Sequence, residues 1–227
     1  MLKKIIAIFL SIFLCQVAYA GGVSLGATRV IYPIAANQVT LKVYNSDEKR
    51  NYLVQSWVTN SADKKTSDFI ITPPLFVMKA DTNNILRIVY TGNKDNLPKD
   101  RESLFYLYSK VIPSTETPNS NQSALLISTT TKIKLFMRPT NLTVEDSMES
   151  YKKLKCSYQN NQIKIENPTP FYMNLVSLRV NGKEVSNAIM IPPMDSQQFK
   201  TTEKGNALIF NMISDYGSQI KDNSCSL

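Results

Sequence analysis

The sequence predicts an all-β chain folded as two β-sandwiches in tandem, and three observations carry that prediction. Short runs dense in Val, Ile, Thr, Tyr and Phe recur along residues 21–227. Clusters of Asn, Asp, Pro and Ser separate them every ~8–12 residues, which is the spacing of sandwich strands. The only helical pattern is a short, weak one around Val144–Lys153. Arg138-Pro139-Thr140 splits the strands into two sets of about seven, because a proline cannot donate to a ladder and stiffens its turn.

In the first set, strands are predicted near Val23–Tyr32, Gln38–Tyr44, Tyr52–Thr59, Phe69–Thr72, Ile85–Tyr90, Leu104–Pro113 and Ala124–Met137. Val39, Leu41 and Val43 alternate with Thr40 and Lys42, so the second of these has one buried and one wet face. Trp57, the only tryptophan, lies in the third, a common place for a core aromatic. The second set runs Leu154–Tyr158, Gln162–Glu166, Phe171–Val180, Ile189–Ile191, Gln197–Lys200, Ala207–Ile213 and a last strand reaching Cys225. Asn181-Gly182 is a two-residue hairpin signal. The expected division is a leader over 1–20, a first domain over 21–139 and a second over 140–227.

Residues 1–20 read as a removable export signal. Lys3 and Lys4 supply its positive end, Ile5 to Leu14 its apolar core, and Ala18-Tyr19-Ala20 an A-x-A cleavage site. The apolar run is about half of what a membrane-spanning helix needs, so no membrane insertion is expected. Cys15 does not make a lipoprotein site, because bulky Leu14 stands where a small residue is required. With Cys15 removed, Cys156 and Cys225 remain, and an even pair in an exported protein reads as one disulfide. Closing that loop stabilises by roughly 4 kcal/mol in the chain-entropy model.

Composition also excludes chemistry. The chain has no histidine, which removes Ser-His-Asp and Cys-His catalysis and every His-ligated metal. No metal and no cofactor is expected. The formal net charge of +8 is spread along the chain without a dense run, so nucleic acid is not the expected partner. A carboxylate pair, Glu102 with Asp215, remains a formal route to glycosidase-like chemistry.

Six stretches, in order, resemble the PapD-like periplasmic chaperones of the chaperone–usher pathway. They are Gly22-Val23-Ser24-Leu25 with Thr28-Arg29, Thr72-Pro73-Pro74, and Leu97-Pro98-Lys99-Asp100-Arg101-Glu102-Ser103-Leu104-Phe105-Tyr106. Next come Thr131-Lys132-Ile133-Lys134-Leu135-Phe136 with Arg138-Pro139, Ile165-Glu166-Asn167-Pro168-Thr169-Pro170, and Ser214-Asp215-Tyr216-Gly217. The sequence departs from the family at Tyr108-Ser109, where an asparagine is expected.

The resemblance implies two immunoglobulin-like sandwiches and a non-enzymatic function. Such a protein holds fimbrial (pilus) subunits in the periplasm and hands them to an outer-membrane usher. A subunit whose sandwich lacks a strand is completed by an edge strand of the chaperone. That donor strand is implied to be Ala124–Lys134, with Leu125, Ile127 and Thr129 on the donated face. If it were an ordinary strand, Leu126 would lie in the core and Leu125 and Ile127 would be half covered. Arg29 and Lys134 are the implied anchors for the subunit's terminal carboxylate, with Lys132 the rival for Lys134. Strict pleating puts Lys134 opposite the donated face, so a twist, a bulge or a reach around the edge is expected. Arg87, Glu102 and Asp215 are the implied charge cluster between the domains. The short Ser114–Ser123 connection resembles the short-loop subfamily. A structural pilus subunit or two-domain adhesin is the alternative, and self-association of the free chain is left open.

Overall fold

The structure, a computed structural model, describes residues 21–114 and 126–227. The leader reading and Leu125 lie outside these residues. The first domain has two sheets. One is ordered β1-β3-β7-β5, from β1 (Val23–Leu25), β3 (Val39–Asn45), β7 (Thr82–Tyr90) and β5 (Phe69–Thr72). The other is ordered β2-β9-β8-β4-β6. It contains β2 (Arg29–Pro33), β9 (Thr129–Arg138), β8 (Ser103–Pro113), β4 (Tyr52–Asn60) and β6 (Leu75–Met78).

The predicted first strand is therefore two strands in different sheets. Gly26 stands where the chain crosses over. Its N–H donates to the Lys42 carbonyl at 2.8 Å, and an added Cβ would meet Lys42 and Tyr44 at 3.0–3.2 Å. Beyond it, β2 pairs with β9 in parallel, with Arg29 directly opposite Lys134. Strand β6 was not anticipated; the turn at Pro73-Pro74 returns the chain along β4.

Alternation sets the core. Leu41 and Val43 are buried while Thr40 and Lys42 are exposed, as the pattern predicts. Tyr32, Leu86, Ile88, Leu107 and Leu135 fill the space between the sheets, with Phe69 edge-on to Tyr32, Tyr90 and Phe105. The Tyr32 hydroxyl accepts from the Tyr90 N–H at 3.1 Å, so this buried polar tip is satisfied. Trp57 is not a core residue. It faces outward, half-buried and stacked on Tyr108 at 5.2 Å, because Val58 and Ser56 on either side take the inward positions.

Helix α1 (Val144–Glu149) and a 3-10 turn over Ser150–Lys153 occupy the predicted helical stretch. Thr143 caps α1 by accepting from the Asp146 N–H at 3.0 Å. The second domain pairs β10 (Lys155–Gln159), β11 (Gln162–Asn167) and β14 (Asp195–Lys200) in one sheet. Its other sheet is ordered β13-β12-β15-β16, from β13 (Lys183–Ile191), β12 (Met173–Val180), β15 (Ala207–Ile213) and β16 (Gln219–Ser226). Ile163, Ile165, Leu175, Leu208 and Phe210 form its core. Asn181 and Gly182 both have positive φ, at 50° and 78°, as the turn between β12 and β13 requires. Cys156 and Cys225 are bonded, tying β10 to β16 across the two sheets.

Candidate subunit-binding edge and carboxylate cleft

Strand β9 is the element from which the site is built. It pairs with β8 from Thr129 opposite Val111 to Met137 opposite Ser103. Its other side is paired with β2 only from Lys134 to Arg138. Among the described residues, 129–133 therefore have no strand on that side, an edge that can serve as a template for another strand. Leading into that edge, Leu126 is 51% exposed and Ile127 68% exposed. Leu126 is thus not in the core, and Ile127 and Thr129 are exposed among the described residues.

The register of β9 against β8 is continuous, without a bulge. Pleating therefore holds along the strand: Thr129 shares the inward side of Ile133 and Leu135, while Lys132, Lys134, Phe136 and Arg138 share the outward side. The side that carries Thr129 and the side that carries Lys134 are opposite faces of one strand, and no bulge in the β8–β9 ladder reconciles them.

On the outward side, Arg29 and Lys134 are juxtaposed by the parallel register and line an open cleft of about 300 Å³ between the domains, together with Asn174, Leu175, Val176 and Ile213. Arg29 Nη1 donates to the Ile213 carbonyl at 3.2 Å, and the Lys134 ammonium donates to Asn174 Oδ1. The buried Arg29 Nε has no hydrogen-bond partner. Burial pulls the Lys134 ammonium down to about 8, helped by the neighbouring Arg29 charge. Burial also lowers Arg29, against the pull of Asp215 and Glu102. Two half-buried cations with spare donors are suited to a carboxylate, which a guanidinium can grip in a fork.

Lys132 is otherwise engaged. Its ammonium pairs with Asp63 Oδ2 at 3.0 Å and lies 3.9 Å from the Tyr106 ring centroid. Of the two candidate lysines, Lys134 is the one beside Arg29.

The interdomain charge cluster is present, but its cation is Arg138 rather than Arg87. Arg138 sits 2.7 Å from Glu102 Oε1 and 2.6 Å from Asp215 Oδ2, and also donates to Asp215 Oδ1 at 2.9 Å. Glu102 Oε2 accepts from the Tyr172 N–H at 2.9 Å, and Ser147 donates to Asp215 at 3.1 Å. Burial raises Glu102 despite Arg138, while the two carboxylates raise Arg138 against its own burial. Arg87 lies between buried Leu86 and Ile88 on β7, so pleating turns it to the exposed face of the other sheet. Arg138 was legible as the next outward position of β9 after Lys134 and Phe136. Asn174 carried no sequence signal. Glu102 and Asp215 are both paired with one arginine.

Comparison with known proteins shows the family. Residues 22–143 match the N-terminal domain, and residues 149–224 the C-terminal domain, of PapD pili-assembly chaperones. The "Probable fimbrial chaperone protein ElfD" of Escherichia coli K12 is 39% identical over 230 residues, covering 98% of this chain and 97% of its own. The chaperone protein FimC of the same strain is 39% identical over 198 residues, covering 87% of this chain and 81% of its own. Among solved structures, the SafB chaperone in complex with the SafA pilin of Salmonella enterica aligns with TM-score 0.80 and 32% identity. It covers 92% of this chain and 98% of its own. The periplasmic chaperone SfaE aligns with TM-score 0.76 and 35% identity, covering 91% of this chain and 100% of its own. With both domains matched and relatives covering nearly its whole length, the chain belongs to the PapD family of pilus-assembly chaperones.

Proposed function

We propose that this protein is a periplasmic chaperone that binds fimbrial subunits stoichiometrically, without catalysis, and passes them to an outer-membrane usher. The observation that carries the reading is the juxtaposition of the strand edge at 129–133, unpaired among the described residues, with Lys134 on the same strand and Arg29 opposite it on β2. An incomplete subunit would add a strand to that edge, its groove receiving Leu125, Ile127 and Thr129. Its terminal carboxylate would replace Ile213 and Asn174 as the partner of the two cations. Export fits the same function: the leader ends at Ala20, and the exported chain comprises domains 21–139 and 140–227 joined at Pro139. Among the described residues, no helix is long and apolar enough to cross a membrane.

The test is co-expression with fimbrial subunits from the same bacterium, followed by purification of the chaperone and identification of what accompanies it by mass. Recovery of a subunit with wild type and its loss with both Arg29→Ala and Lys134→Ala is the expected result. Equal recovery with all three would refute the carboxylate cleft.

A further inference from the structure

Opposite the open edge, on the outward side of the sheet, one exposed carboxylate collects three donors from three neighbouring strands. Asp63 Oδ1 accepts from Thr59 on β4 at 3.0 Å and from Tyr108 on β8 at 2.6 Å, while Oδ2 accepts from Lys132 on β9 at 3.0 Å. Lys132 also rests on the Tyr106 and Tyr108 rings, and Tyr108 in turn stacks on Trp57. Tyr108 belongs to the Tyr108-Ser109 pair at which the resemblance leads one to expect an asparagine, and here its hydroxyl is what reaches Asp63.

The carboxylate is presented by a rigid turn. Asn60 Oδ1 accepts from the N–H groups of Ala62 and Lys64, and the Asp63 N–H donates to the Asn60 carbonyl at 2.9 Å. Thr59 bridges Lys65, and Asp63 itself has φ 63°, a conformation aspartate tolerates better than most residues. The turn would hold its shape without Lys132. Lys132, in contrast, lies in the half of β9 that has no β2 beside it, where a strand held along one side only is prone to fray.

We propose that Asp63 is a positioning residue for strand donation: by joining Thr59, Tyr108 and Lys132 it holds the open half of β9 in register before a subunit arrives. The proposal rests on the strand-donation reading above. A donor strand already ordered does not have to be ordered during binding, so less affinity is lost to that cost.

Hydrogen exchange on the free full-length protein tests it. Asp63→Ala should accelerate the amides of residues 129–133 about two- to fivefold, the scale of an exposed ion pair. Residues 135–137, flanked by both β2 and β8, should not change. Tyr108→Phe and Asp63→Asn, each removing part of the network, should fall between. With a fimbrial subunit that wild type is shown to retain, Asp63→Ala should weaken capture about two- to fivefold. Unchanged exchange, acceleration shared equally by 135–137, or faster exchange with undiminished capture would each overturn the proposal. If wild type retains no subunit, the functional reading falls and takes the purpose of the clamp with it. The exchange pattern, which needs no subunit, tells that failure apart from a clamp that does not exist.

Discussion

The two ends of β9 differ in what completes them. At the closed end, Arg138 is paired with β2 and meets two carboxylates, Glu102 and Asp215, so its charge is answered within the protein. Four residues earlier, Lys134 sits beside another cation and finds only an amide oxygen. Earlier still, the backbone itself lacks a neighbour on one side. Buried charges are tolerated when paired, and strand edges when covered. Among the described residues the closed end obeys both rules alone and the open end does not, and that gap is what the proposed subunit would fill.

That contrast can be broken at several points. The largest effect is expected at the open edge. Ile127→Asp should leave the melting temperature unchanged, because Ile127 is 68% exposed in the free chain. Subunit binding should fall about a thousandfold or more, from lost apolar burial and a charge forced into the groove. Measuring melt and subunit recovery on one sample decides it: a collapsed melt would make Ile127 an ordinary core residue.

Next comes the closed end. Arg138→Ala leaves Glu102 and Asp215 buried without their cation and should destabilise by about 3–5 kcal/mol, seen in denaturant titration. Lys134→Ala should act in the opposite sense. Burial disfavours its charge, so removing it should leave stability at neutral pH unchanged or slightly raised, while subunit binding weakens by about 2–5 kcal/mol. If both variants destabilise alike, the two ends are not different in kind.

How much of this was legible in sequence follows from what each feature depends on. Alternation in β3, the Asn181-Gly182 hairpin and the Cys156–Cys225 pair are local or compositional, and all were readable. The sheet switch at Gly26 was not, because Val23–Tyr32 reads as one apolar run and a switch of partner leaves no period behind. The wrong arginine was chosen for the same reason. Arg87 and Arg138 both flank apolar residues; the parity Arg138 shares with Lys134 was readable, but only the pairing of β9 with β2 and β8 puts that side at the junction. Asn174 and Asp63 come from loops and strands distant in sequence, so their meeting with Lys134 and Lys132 required the fold. Trp57 was misread as core because composition cannot show which side of β4 faces in.

The smallest effect, and the one that most sharpens the contrast, is the pH dependence of the open end. In the free chain the Lys134 ammonium titrates near 8, below its ordinary 10.5, because burial disfavours the charge. Below pH 8 both folded and unfolded chains carry the proton. Between 8 and 10.5 the unfolded chain binds more protons, so this residue makes stability rise with pH across that window. Binding runs the other way. A carboxylate in the cleft favours the ammonium, so above pH 8 capture requires proton uptake and affinity should fall, by up to about tenfold per pH unit. Arg29 is also lowered by burial, yet its ordinary value is so high that it keeps its charge throughout, and a peptide's terminal carboxylate is ionised over the whole range. The fall should therefore be gradual rather than complete. Titrating a peptide with a free C-terminus at pH 7, 8, 9 and 10 measures it, with Lys134→Met as the control that binds weakly but without this slope. Parallel pH profiles for wild type and Lys134→Met would show that Lys134 does not hold the carboxylate, whatever its proximity to Arg29.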